Sequence, residues 1–227
     1  MFGAMENTIG SVVPRPSYEP PSYWHRACRE LASADEILAR LISTHGDEVL
    51  RGSGSAFRTL VNAIVGQQIS VAAAAGIWER LTNAYPSLEA TSLMGATVET
   101  LRKLGLSGRK AEYIQGVAAA FAAGKIDESR WEEMTDEEIQ DELVALRGVG
   151  PWTAEMVLIF HARRPDILPL GDIGLVNAAA RLYSWNESTS LADRRERLAR
   201  HAERWRPWRT VATWFIWRDL DADPVIY

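Results

Sequence analysis

Apolar residues recur at three- and four-residue intervals along nearly the whole chain, and alternating β-branched runs are few. That periodicity predicts an all-α protein with helices near 28–44, 55–66, 70–84, 97–104, 108–123, 135–146, 151–162, 172–184, 190–204 and 207–219. Start signals support several of these boundaries. Ser70 stands before "VAAAAGIWERL", Thr135 and Glu138 have the spacing of a capping box, and Pro151 and Pro207 suit a first helical position. Gly46, Gly66, Gly105, Gly124 and Gly148 fall where the apolar period breaks, as helix-ending residues do. No low-complexity linker divides the chain, so one folded unit is expected after a loosely ordered, proline-rich arm over residues 1–20.

A chain of 227 residues can form one large domain or two small lobes sharing a core. No apolar run approaches the roughly 20 residues of a membrane span, and the first residues lack a basic start and a continuous apolar stretch. The expected setting is therefore cytoplasmic, with no membrane partner. A single cysteine, Cys28, excludes an intramolecular disulfide, a four-cysteine iron–sulfur cluster and a cysteine-based zinc site. The histidines at 25, 45, 161 and 201 are scattered without ligand spacing, so no metal is expected on side chains.

Net charge is −5, which by itself argues against a polyanionic partner, but its distribution reverses the argument. Residues 127–142 hold nine acids and one arginine, so the rest of the chain sums to +3. The acidic block reads as a solvated helix face. Residues 194–209 hold seven arginines against two glutamates, which fits either a solvated face or contact with phosphates.

The sharpest break in the helical pattern is "LRGVGPWTAEM", residues 146–156. Gly148 and Gly150 lack a Cβ, which permits positive φ and close approach by another molecule's backbone, with Val149 between them. Pro151 then opens a helix whose unpaired N–H groups and dipole face outward, a favourable seat for one phosphate. Such a helix, hairpin and helix can grip DNA backbone without reading sequence; a plain tight connection between packed helices is the alternative. Farther on, in "RRPDILPLGDIGLVNAAARLY", Asp172 immediately precedes a new apolar helical run, where an aspartate commonly serves as an N-cap.

The layout of hairpin, Trp152, helix, proline-bearing loop and Asp172 resembles the helix-hairpin-helix DNA glycosylase superfamily. Within it, "LVNAIVGQQISVAAA", "LRKLGLSGRKAEYI", "LRGVGPWTAEM", "LPLGDIGL" and "ERWRPWRTVATWFIW" resemble, in matching order over about residues 55–220, the 3-methyladenine DNA glycosylase II branch, which removes alkylated bases. The resemblance implies a two-lobed fold with a cleft between the lobes, one from about 21–54 plus 165–227 and the other from about 55–164. It also implies a monomeric enzyme of base excision repair acting on double-stranded DNA that contains alkylated bases. An oxidised-base or mismatch glycosylase of the same fold and a non-enzymatic DNA-binding module are the alternatives.

By the same resemblance Asp172 is the carboxylate that stabilises a cationic sugar, and Trp152 and Trp217 line the base pocket. Trp217 also belongs to a run with Trp205, Trp208 and Trp214 at helical spacing, most of which should be core. Gln67, Gln68 and Ile69, between two helices, are placed to fill the gap left by a flipped base, or the glutamines satisfy local backbone groups. Lys110 is placed to meet a phosphate, or is solvated. No cofactor is required, although carbonyls of Val144, Leu146 and Val149 are placed to hold a structural Na+ or K+. Two departures from the superfamily matter. Where bifunctional members carry a nucleophilic lysine, two residues after the second hairpin glycine, this chain has Trp152, so a Schiff base and strand cleavage are not expected. Helical pattern also begins by about residue 28, which leaves no room within this chain for the N-terminal β-domain of longer relatives.

Overall fold

The computed structural model describes residues 19–46, 48–52, 54–185 and 190–220, so the predicted arm lies almost wholly outside the described residues. These residues form α1 (Trp24–Ala34), α2 (Glu36–His45), α3 (Ala56–Gly66), α4 (Val71–Ala84), α5 (Ala90–Met94), α6 (Val98–Lys103), α7 (Gly108–Ala122), α8 (Asp136–Val144), α9 (Pro151–Phe160), α10 (Ile173–Leu182), α11 (Leu191–His201) and α12 (Arg209–Leu220). Among the described residues there is no strand, as the periodicity predicts.

Local chemistry accounts for most of the starts. Ser55, Ser70, Thr97, Ser107 and Ser190 each accept a hydrogen bond from the backbone N–H three residues on, at α3, α4, α6, α7 and α11. At α8 Thr135 and Glu138 form the reciprocal capping box. Pro151 occupies the first position of α9. Pro207 does not open a helix. It follows a cis peptide bond, and α12 starts at Arg209.

The helix expected over 28–44 is two helices, because Asp35 takes up extended backbone (φ −149°, ψ 115°) and caps α2 through the N–H groups of Ile37 and Leu38. The other carboxylate oxygen of Asp35 accepts from Tyr183 Oη (2.9 Å) and Trp205 Nε1 (3.0 Å) and lies 3.1 Å from His201 Nε2. Burial opposes ionisation of this group, but the bonds from His201, Trp205, Leu38 and Tyr183 outweigh it and hold the carboxyl well below the usual carboxylate range. One aspartate thus ties α1, α2, α10 and α11 together.

Helix packing falls into two groups. In one, α3 packs on α4, α7 and α9, α7 on α5 and α6, and α8 on α9; in the other, α12 packs on α1, α2 and α10, and α10 on α11. One continuous cluster of buried apolar side chains runs through both. Its central helices are those with apolar residues on nearly every side, α3, α9 and α12. Trp205, Trp208 and Trp214 are core, and Trp217 alone of that run stays partly exposed.

The charged blocks are more structural than their composition suggests. In the acidic block Glu128 accepts from the Ala56 N–H and pairs with His161, Glu142 accepts from Trp131 Nε1, and Asp136 pairs with Arg164. In the arginine block Arg206 and Arg209 both engage Asp166. Arg209 is largely buried there, so neither solvated face nor phosphate contact describes it. With Thr210, which accepts from the Ile167 N–H and donates to the Arg164 carbonyl, these arginines fasten the loop that leads from α9 to Asp172.

Candidate active site

α8 and α9 meet at a tight hairpin over residues 145–150. Gly148 has φ +90°, and a Cβ built on it would lie 2.1 Å from the ring of Tyr113, so glycine is required both by backbone and by space. Tyr113 in turn lies under the guanidinium of Arg147, which also pairs with Glu112. Gly150 differs: its φ of −100° suits any residue, and a Cβ there would meet nothing within 4 Å. Gly148→Ala is expected to lower the melting temperature by roughly 3–10 °C, about 1–3 kcal/mol of overpacking and strain in a chain of this size. A circular dichroism melt superimposable on that of the unaltered protein would show that the hairpin has room to spare.

Twenty residues beyond the hairpin tryptophan, Asp172 caps α10. Its Oδ1 accepts from the Leu175 N–H at 2.7 Å and its Oδ2 from Trp152 Nε1 at 3.0 Å, which leaves the carboxylate half-buried and fixed in two directions. Glycines flank it. A Cβ at Gly174 would stand 3.1 Å from Oδ1, and one at Gly171 would touch the Cβ of Trp152 at 3.4 Å. Trp152 therefore joins the start of α9 directly to Asp172. Trp217, on α12, packs against the other end of α9: it stacks on Phe160 (5.9 Å, 11°), eight residues or about 12 Å along the α9 axis from Trp152.

The loop between α3 and α4 divides its roles. Gln67 turns inward, its amide nitrogen 3.0 Å from both the Gly148 carbonyl and the Thr153 hydroxyl. Lys110 reaches back from a partly exposed position: its Nζ donates to the Val65 (2.8 Å) and Gln67 (2.6 Å) carbonyls and so closes the C-terminal end of α3. Gln68 and Ile69 are exposed, with Gln68 in the left-handed region at φ +57°, an uncommon conformation for a residue with a side chain. On the hairpin, Leu146's carbonyl accepts from the Val149 N–H (3.1 Å), Val144 is exposed at the end of α8, and Val149 is buried.

Sequence reasoning passed over Glu155. It lies one turn beyond Trp152 on α9, and its Oε2 is buried with no hydrogen-bond partner. Burial pushes its carboxyl up, and the charge of Asp172 pushes it further, to about 7. A signal was present: Glu155 is the single charged residue of "PWTAEMVLIF", a helix otherwise apolar on every side. Among the described residues no group of three or more His, Cys, Asp or Glu side chains could hold a metal ion, and no helix is long and apolar enough to cross a membrane.

The chain is similar to known proteins in sequence and in fold. A family model described as HhH-GPD superfamily base excision DNA repair protein matches residues 61–207. The putative DNA-3-methyladenine glycosylase YfjP of Bacillus subtilis is 29% identical over 194 residues, covering 81% of this chain, which spans 66% of that protein's length. The alkylbase DNA glycosidase-like protein mag2 of Schizosaccharomyces pombe is 30% identical over 206 residues, 87% of this chain and 94% of that one. Among solved structures, the S. pombe 3-methyladenine DNA glycosylase Mag1 in complex with abasic DNA superposes with a TM-score of 0.75 at 26% identity, covering 85% of this chain and 95% of the other.

Proposed function

We propose, from the premise that this chain belongs to the HhH-GPD superfamily of base excision DNA repair proteins and within it to the 3-methyladenine DNA glycosylase branch, that it hydrolyses the N-glycosidic bond of alkylated bases in duplex DNA. The observation that carries this reading is the bond from Trp152 to Asp172, which couples the hairpin helix to a fixed carboxylate. The relatives it rests on include one whose length the chain spans only to 66%.

Cleaving the bond between C1′ and the base leaves positive charge on the deoxyribose while the bonding electrons depart with the base. A carboxylate already oriented by two hydrogen bonds stabilises that charge without reorganising. Water then adds to C1′, losing a proton, and an abasic site remains. A base already alkylated at N3 or N7 carries its own positive charge, so it leaves without protonation and stacks well on the indole of Trp152, an attraction of about 0.5–2 kcal/mol. Trp217, the partly exposed member of its run, is the second candidate wall of the pocket.

Gly148, Val149 and Gly150, with the positive dipole end of α9, suit a phosphate of the damaged strand. The open space around Gly150 supports that placement. Gln68 and Ile69 are the groups exposed to enter the gap left by the flipped base, whereas Gln67 and Lys110 brace the loop behind them. Carbonyls of Val144, Leu146 and Val149 are hard oxygen donors at a helix end and turn, a donor set that fits Na+ or K+ in a purely structural role. We further propose that the chain acts as a monomer.

The test is release of 3-methyladenine or 7-methylguanine from methylated duplex DNA, run beside duplexes with oxidised and mismatched bases. Base release confined to the alkylated duplex is the expected result; preference for an oxidised base would move the chain to another activity. Borohydride should trap no covalent complex, because the position of the nucleophilic lysine is Trp152. A trapped adduct would contradict the monofunctional reading.

A further inference from the structure

We propose that Glu155 is a protonation-linked partner of Asp172, one that holds its proton more readily in the free protein and gives it up to water once a cationic base or sugar fragment enters, so that the site gains negative charge as positive charge arrives. The inference rests on the reading of Asp172 as the carboxylate beside the substrate. Glu155 would touch neither base nor sugar; it acts through Asp172 as a positioning residue.

Three observations carry it. Glu155 lies three residues from Trp152 on one face of α9, and that indole is bonded to Asp172, so the two carboxyls share one neighbourhood. Its Oε2 is buried without a partner, an arrangement a carboxylate tolerates poorly and a protonated carboxyl tolerates better. It also borders a cavity of about 300 Å³, which gives the proton a way out.

Most of the charged groups facing this cavity are paired elsewhere. From α8 come Asp136, paired with Arg164, and Glu137. From the loop before α10 comes Asp166, which takes Arg206 and Arg209. From the segment after α11 comes Glu203, which takes Arg206. After burial itself, the charge that raises the Glu155 carboxyl is that of Asp172. A cation placed beside Asp172 cancels that repulsion. The O–H bond of Glu155 then breaks, its electron pair stays on the carboxylate, and the proton passes to water. By linkage, whatever favours ionisation on binding must bind more tightly as pH rises.

The experiment uses two duplexes, one with a pyrrolidine abasic analogue, cationic across the range studied, and one with the neutral tetrahydrofuran analogue. Fluorescence anisotropy gives the affinity for each from pH 6 to 8. The preference of the unaltered protein for the cationic duplex is expected to rise by about 3–10-fold over that interval, and that of Glu155→Gln to stay level. In parallel, calorimetric titration of the unaltered protein at pH 7 in two buffers of different ionisation enthalpy should count more protons released with the cationic duplex than with the neutral one. This count decides the matter if the glutamine variant does not fold. A level preference in the unaltered protein, the same rise in Glu155→Gln, or equal proton counts would overturn the proposal. If methylated DNA still loses its base in an Asp172-dependent way, only the role of Glu155 falls; if no base is released, the functional reading falls with it.

Discussion

Asp172→Asn is expected to slow base release by about a hundred- to a thousand-fold, the scale of losing one preorganised electrostatic contact, while the protein stays folded and binds undamaged duplex as before. Asparagine is as good an N-cap as aspartate, so α10 should still begin at the same place. What it removes is the negative charge. The amide also puts an NH2 donor where one of the two carboxylate oxygens now accepts, so either the bond from the Leu175 N–H or that from Trp152 Nε1 is lost and the group swings more freely. Single-turnover release of 7-methylguanine, with duplex affinity measured on the same preparation, separates the two effects. Release at the unaltered rate would remove Asp172 from the mechanism and leave it a cap.

The second large effect is on stability. Asp35→Ala should cost about 3–5 kcal/mol and lower the melting temperature by roughly 6–20 °C. The substitution leaves Trp205 Nε1, in a fully buried ring, and the hydroxyl of Tyr183 without their acceptor, and it uncaps α2. The pH dependence follows from the same bonds. Because the folded carboxyl is held below its ordinary value, its contribution is complete at neutral pH and is lost as pH falls from near 4 downward. The acid limb of the stability curve should therefore be steeper in the unaltered protein than in Asp35→Ala, by denaturant titration between pH 5 and 2.5. Parallel limbs would mean that other carboxyls govern acid unfolding.

Helix content, capping residues and the hairpin could be read from the chain because each depends on residues within one or two turns: Thr135 with Glu138, Pro151, Gly148. Asp172 at its N-cap was legible for the same reason. Contacts across long stretches of chain were not. Lys110 meets carbonyls 43 and 45 residues away, and Gln67 meets the hairpin 81 residues on, so no local pattern distinguishes them from residues turned outward. The break at Asp35 escaped notice because the apolar period continues across it, and the reason for the break lies in partners 148 to 170 positions distant. Arg209 misled by composition: in a run of seven arginines it is one of those locked to Asp166.

The paired braces from Gln67 and Lys110 have a mechanical meaning. Gln67 joins the protruding loop to the turn between α8 and α9 and Lys110 fastens the same loop to α7, so the span between loop and turn is set before any duplex arrives. Under the proposed activity the protein behaves as a pair of calipers with a locked jaw: the helix axis of the nucleic acid, being the softer body, must kink to match the gauge. Loosening the lock would blunt discrimination, because an undamaged stack, which resists kinking, would no longer be tested against a fixed width.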